Sequence, residues 1–382
     1  MLFGPLLLAL PTPAPPPAVR AADVVIGALG GVGSEGSRLV LQKRPGGLVL
    51  FGELGDGGGA LRLALRRANL KPVVMIDQEG GSVRRVRSLG PAAPRALRLL
   101  PASHTLREYR TAARGLRKLG VHVNLAPVAD VDTGGTMAFR SFGSTPKEAG
   151  KRVVAAVRGL HDGGVAGCVK HFPGLGNVGT NTDAGIAVDR RSKGAVVGEL
   201  AAFRQAIDAG ARCVMVSSVV VPALCSRPAV LCKETYRRLR RMGFRGVIVT
   251  DSLDADALRP YGTVGQVAVK ALGAGADSVL VTSPWSTLAV IDAVAGATRA
   301  GRLDRADLHS GAVRLRALRD VRGARSSRDD PEAEWEGFEP TRQAQHPPTR
   351  LPVTLLRPLG HHSAHEPVYF ERSRSSASEL MQ

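Results

Sequence analysis

Lys170 and His171 stand side by side at the end of a short apolar run, Val165 to Val169, and a Pro-Gly-Leu-Gly turn follows almost at once. A cation and an imidazole at a strand end, entering a glycine-rich loop (KHFPGLGNVGTNTD, Lys170 to Asp183), are suited to chemistry held on a rigid element. A solvated strand end would read the same way in isolation. Other apolar runs end alike. Asp77 closes one and leads into Gln78-Glu79-Gly80-Gly81, Asp130 and Asp132 follow another with Arg140 beyond, and Thr250-Asp251 closes a third. A single aspartate there is often a helix cap, and Asp251 could cap the segment SLDADAL. Several ionisable groups gathered on one rim are different, because buried carboxylates and cations persist only when paired or used.

The elements that must position them are eight apolar runs alternating with amphipathic stretches from about Ala22 to Gly323. They are VVIGAL (24–29), GLVLF (47–51), VVMID (73–77), VNLAPV (123–128), GCVKHF (167–172), CVMVSS (213–218), GVIVTD (246–251) and SVLVT (278–282). The intervening segments carry helical period and several close on glycine, as a C-cap does. Runs apolar on both faces and alternating with helices predict an α/β fold, a (β/α)8 TIM barrel rather than a doubly wound sheet, with the chemistry at the C-terminal ends of the strands. The last helix is expected over RADLHSGAVRLRALRDV.

Composition narrows the function. The formal charge of +19 favours anionic partners. The arginines, however, are scattered through helix-like segments, aromatics make up only 4%, and no nucleic-acid motif is present, so no nucleic-acid partner is expected. Four cysteines lack metal-ligand spacing. Cys168 and Cys213 lie in apolar runs and read as buried thiols, whereas a Cys225–Cys232 bridge is allowed but not required. No run reaches 18 apolar residues, so no transmembrane segment is expected.

Three segments follow: a leader or linker over 1–21, a catalytic barrel over 22–323 and an irregular tail over 324–382. The apolar, proline-rich start resembles a signal peptide without a basic n-region, which favours a secreted or cell-envelope location over the cytoplasm. The tail has no sustained periodicity and is expected to be disordered. His361, His362 and His365 within it lack further ligands, and no metal site is expected there.

Five blocks, IDQEGGSVRRV (76–86), NLAPVADVD (124–132), RSFG (140–143), KHFPGLG (170–176) and GFRGVIVTDSL (243–253), resemble in order the signatures of glycoside hydrolase family three, in its single-domain β-N-acetylhexosaminidase form. The resemblance covers roughly residues 45 to 285. It implies a retaining exo-glycosidase acting on terminal β-linked N-acetylglucosamine in cell-wall or chitin-type fragments, working as a monomer without metal or organic cofactor. It matches Asp251 to the catalytic nucleophile, a role a carboxylate fills by forming and releasing a covalent glycosyl-enzyme. It places Asp77, Arg85, Arg140, Lys170 and His171 as sugar-binding groups. Glu79 reads as support for the Gly-Gly turn, and Asp130 and Asp132 as loop organisers.

One departure matters. The hexosaminidases carry Asp-Ser-His on the loop after KHFPG, with the histidine as acid/base. Counted without gaps, this chain has Asn181-Thr182-Asp183, and the next histidine is His309. Three readings stay open: Asp183 is the acid/base, protonation comes from elsewhere or is unnecessary, or hydrolysis is lost and sugar binding kept. A β-glucosidase or a glycoside phosphorylase is the alternative enzyme, and a silent carbohydrate-binding barrel the non-enzymatic one.

Overall fold

The computed structural model describes residues 19–321 apart from 30–33, 52–58, 60–64, 67 and 68. A 3-10 turn leads into β1 (Val25–Leu29), followed by α1 (Glu35–Lys43), β2 (Gly47–Leu50) and β3 (Val73–Ile76). A small hairpin, β4 (Gln78–Gly80) and β5 (Val83–Arg84), precedes α2 (Pro94–Leu97), α3 (Ala102–Lys118), β6 (Val123–Asn124), α4 (Pro146–Asp162) and β7 (Ala166–Phe172). Then come α5 (Lys193–Asp208), β8 (Cys213–Val216), a second hairpin of β9 (Val220–Val221) and β10 (Cys225–Pro228), α6 (Lys233–Arg241) and β11 (Val247–Ser252). The remaining elements are α7 (Val264–Ala274), β12 (Ser278–Leu280), α8 (Pro284–Arg299) and α9 (Arg305–Ala317).

Strands β1, β2, β3, β6, β7, β8, β11 and β12 close into one barrel, each parallel to its neighbours. All eight expected strands are present and the (β/α)8 expectation holds. Alternate strand residues fill the interior: Ile26 and Ala28, Val73 and Met75, Val247 and Val249. Leu315, Leu318 and Val321, from α9 and the turn beyond it, join that cluster. Residues of opposite parity, such as Val74 and Ile76, pack outward in the main apolar cluster with helix residues. Met75 is fully buried, and truncating such a side chain to alanine costs roughly 2–5 kcal/mol.

Several helices start where a rim loop supplies a cap. Thr145 accepts the Glu148 N–H ahead of Pro146, Ser192 accepts that of Ala195, Thr263 forms a capping box with Gln266, and Asp304 caps α9. Part of the arginine excess is structural. Buried Asp277 accepts from Arg240 (2.6 Å), Arg314 (2.7 Å) and the Ile248 N–H (2.7 Å), tying α6 and α9 to the barrel.

The cysteine expectation needs correction. Cys168 and Cys213 are bonded to each other, because parallel β7 and β8 place them opposite in register with Cα atoms 4.3 Å apart. Cys225 and Cys232 form a second disulfide. Among the described residues no helix is long and apolar enough to cross a membrane. Residues 1–18 of the expected leader (1–21) and the expected tail over 324–382, its three histidines included, lie outside the described residues.

Candidate active site

The strand ends carry the ionisable groups inward as a connected set. Asp77 directly follows β3, Glu79 lies on β4, Lys170 and His171 end β7, and Asp251 lies near the end of β11. Lys170 Nζ lies 2.6 Å from Asp77 Oδ1 and 2.6 Å from Glu79 Oε1. Arg140 reaches Glu79 in bidentate fashion, Nε to Oε2 at 2.8 Å and Nη2 to Oε1 at 2.6 Å. Burial opposes ionisation of Glu79, yet the charges of Lys170 and Arg140 and the hydrogen bonds of Arg140 outweigh it and hold the carboxyl below its usual range. Lys170 mirrors this: burial opposes its charge, and Asp77 and Glu79 raise its pKa nonetheless.

His171 is clamped from behind. Its Nδ1 donates to Asp130 Oδ2 at 2.6 Å, which fixes the ring and leaves Nε2 3.4 Å from Arg140 Nη2. Asp130 Oδ1 also accepts the N–H groups of His171 (3.3 Å) and Leu175 (2.8 Å). One buried carboxylate therefore sets both the imidazole and the start of the following loop. Asp132 accepts from Arg98 at 3.1 Å and organises its own turn through the Gly134 N–H.

The loop carrying Asp183 is held along its length. Thr133, Gly135 and Thr136 donate backbone N–H groups to Gly176 and Val178. Asp189 N–H and Val220 N–H exchange bonds with Val220 and Ala187 carbonyls on the β9 side. Arg191 binds Asp189 and Glu199 at the loop's exit. Between these anchors Thr182 is buried, its carbonyl accepting the Ala257 N–H (3.2 Å), and the Asp183 carbonyl accepts the Asp256 N–H (3.3 Å). Asn181 Oδ1 accepts the Asp183 N–H at 3.1 Å. The loop thus rests on the 3-10 turn Asp256–Tyr261 that follows the Asp251 strand.

Asp251 is only partly exposed, and its Oδ1 accepts the Ser252 N–H at 2.8 Å. Burial raises its pKa most and the negative charge of Asp183 raises it further, while His171 and Lys170 pull it down. Two aspartates, an imidazole and an ammonium group therefore share one electrostatic environment. Arg85 stands apart from the ion network: its guanidinium lies 4.6 Å from the centre of the Phe51 ring, and its buried Nε has no partner among the described residues.

Three residues do more than their sequence context signals. Glu79, expected to support the glycine turn, centres the ion network. Gln78 and Asn124 are the other two. Gln78 accepts the N–H groups of Arg85 and Val86 and donates to the Val86, Leu89 and Gly90 carbonyls, which shapes the β4–β5 hairpin. Asn124 pairs with the Gln78 backbone through both side-chain atoms. Their position at the ends of apolar runs was the available signal. Among the described residues no group of three or more metal-ligating side chains gathers.

A parallel barrel with carboxylates and hydrogen-bonding cations converging at its strand ends is the arrangement of a barrel enzyme. The sequence model described as the N-terminal domain of glycosyl hydrolase family 3 matches residues 45–318, and the chain belongs to that family. It is a glycoside hydrolase, and a carbohydrate is its substrate class. The β-hexosaminidase of Xanthomonas oryzae pv. oryzae is 33% identical over 294 residues, which span 69% of this chain and 86% of that protein. The β-hexosaminidase of Xylella fastidiosa strain 9a5c is 34% identical over 62% of this chain and 75% of its own. The solved β-N-acetylglucosaminidase of Paenibacillus sp. str. FPU-7 superposes with a TM-score of 0.74 at 29% identity, covering 81% of this chain and 64% of that one. The β-N-acetylhexosaminidase of Beutenbergia cavernae matches with a TM-score of 0.71 at 26% identity, over 78% of this chain and 97% of its own.

Proposed function

We propose that the barrel, residues 22–323, is a retaining exo-glycosidase releasing terminal β-linked N-acetylglucosamine from cell-wall or chitin-type fragments. The observation that carries this reading is the strand-end network of Asp77, Glu79, Arg140, Lys170 and His171, with Asp251 near the end of β11 and the Asp183 loop resting on the turn beyond it. Asp251 attacks the anomeric carbon while Asp183 delivers a proton to the departing glycosidic oxygen. Water then enters, Asp183 takes its proton, and the Asp251 ester breaks with net retention. Asp77, Arg140, Lys170 and His171 supply donors and acceptors for sugar hydroxyls, and Arg85 supplies a further cation at the edge. Asp183 is exposed, and a sugar seated over it would exclude water from that side of the cleft. The preference for a 2-acetamido sugar rests on the named activities of the relatives.

We place the enzyme in an oxidising compartment, outside the cytoplasm, for which the two disulfides speak. A monomer suffices, since the proposed groups all lie on one chain.

The test uses the purified full chain with aryl β-N-acetylglucosaminide and aryl β-glucoside, each with and without phosphate. Phosphate-independent turnover of the first, with the β-anomer formed first by proton NMR, is expected. Preference for the glucoside, or dependence on phosphate, would replace the reading with a β-glucosidase or a phosphorylase. Sugar binding without turnover would make the barrel a silent binder.

A further inference from the structure

A cavity of about 600 Å³, lined by none of the strand-end site residues, lies between the β9–β10 hairpin, the start of α6, the 3-10 turn Asp256–Tyr261 and α7. Arg227, Lys233 and Lys270 line it, and none of its lining residues is acidic. The nearby carboxylates are engaged elsewhere: Glu234 with Arg238 and Arg241, Asp256 with Arg259. Lys270 Nζ donates to the Tyr261 carbonyl at 2.6 Å, which aims it at this wall and leaves two N–H bonds over. Arg227 and Lys233 face no carboxylate among the described residues.

Three cations around one concavity repel one another and concentrate anions there. Two ammonium groups and one guanidinium fork suit a tetrahedral, doubly charged oxyanion better than a planar carboxylate with one charge. The α6 N-terminus adds to this, because its cap residue, Cys232, makes no side-chain hydrogen bond to the first turn. The volume exceeds a bare phosphate, and Leu231, Pro260 and Tyr261 give the remaining wall an apolar, aromatic character. The geometry points to a second ligand site that takes a phosphate group, free or esterified to a small organic body, on Arg227, Lys233 and Lys270. Two elements that contribute to its walls also support the Asp183 loop, since Val220 of the hairpin and Asp256 and Ala257 of the turn, outside the cavity lining, hold that loop's backbone.

The experiment measures binding of inorganic phosphate and of phenyl phosphate to the full chain by calorimetry at low ionic strength, beside Arg227→Gln/Lys233→Gln. Both residues are exposed, and an unchanged melting temperature and aryl-glycoside turnover in the absence of phosphate will verify the fold of the variant. Saturable binding to the wild type, weakened at least tenfold in the variant, is expected, with hydrogen-exchange protection over 225–233 and 260–274. Tighter phenyl phosphate identifies an ester as the ligand, and equal affinities identify free phosphate. Unsaturable binding, an unchanged affinity in the variant, an effect reproduced by sodium chloride at matched ionic strength, or displacement by N-acetylglucosamine would each overturn the site.

Discussion

Lys170 Nζ sits 2.6 Å from Glu79 Oε1, and both side chains are almost wholly removed from solvent. The same ammonium group reaches Asp77, so one cation on β7 bridges two carboxylates, at the β3 end and on the β4 strand, with Arg140 supplying the second positive charge. Removing one partner of a buried pair leaves an uncompensated charge, which costs more than the pair contributes. Lys170→Met is therefore expected to lose about 3 kcal/mol of stability together with most sugar affinity. Urea denaturation followed by titration with N-acetylglucosamine measures both. A variant as stable as the wild type would show that this network tolerates an unpaired carboxylate.

Asp183 and Asp251 separate by substrate. Asp183→Ala is expected to slow hydrolysis of an unactivated disaccharide by about 100-fold or more, and an aryl glycoside with a good leaving group far less. Azide should restore turnover of the aryl substrate. Equal losses on both substrates would remove Asp183 from the acid/base role. Asp251→Asn should abolish turnover of both, and steady hydrolysis by that variant would end its assignment as nucleophile.

The acid limb of the rate profile tests their coupling. Burial and then the Asp183 charge raise the pKa of Asp251, so the proposed nucleophile loses its charge at a higher pH than an ordinary aspartate. Asp183→Asn removes one raising influence. The acid limb of kcat/KM for an aryl substrate should then move to lower pH. A shift to higher pH, or none, would mean that the two carboxylates act independently.

Two histidines outside the site make stability pH-dependent. Burial, aided by neighbouring arginines, lowers His122 and His161 to about 4. Both remain neutral in the folded chain while the unfolded chain takes up protons below about 6.5. Stability is accordingly full above about pH 6.5 and declines as pH falls towards 4, by on the order of 2 kcal/mol per histidine after allowance for partial exposure. His122 accepts the Val74 N–H through Nδ1, whereas His161 Nε2 is buried without a partner among the described residues. His161→Phe should flatten about half of this slope in melting temperatures taken from pH 7.5 to 4.5.

Reduction is the last lever. Cys168–Cys213 closes a loop of 45 residues by sequence separation, for which the chain-entropy account gives about 4 kcal/mol. Melting with and without a phosphine reductant should differ by several degrees, and Cys168→Ala/Cys213→Ala should abolish most of that difference. Coincident melting curves would show the bridge contributes nothing.

The eight barrel strands were legible because a parallel strand is buried on both faces and reads as an unbroken apolar run. Asp77, Lys170, His171 and Asp251 were legible for a related reason: polarity returns where such a run leaves the barrel, and that end is where chemistry gathers. The missing loop histidine was likewise visible by counting residues. What could not be read is who meets whom. Glu79 and Arg140 are 61 residues apart, Lys170 and Asp77 are 93, and Asp130 and His171 are 41. Sequence patterning is local, whereas these contacts depend on strand register and on the closure that brings β3, β6, β7 and β11 around one axis. The same register decided that Cys168 faces Cys213, which hydrophobicity alone had made two separate buried thiols. Asp183 is the clearest case. Its position in the chain marks it as the residue in the histidine's place, but only the fold shows that Thr182 and Asp183 rest on the turn beyond β11.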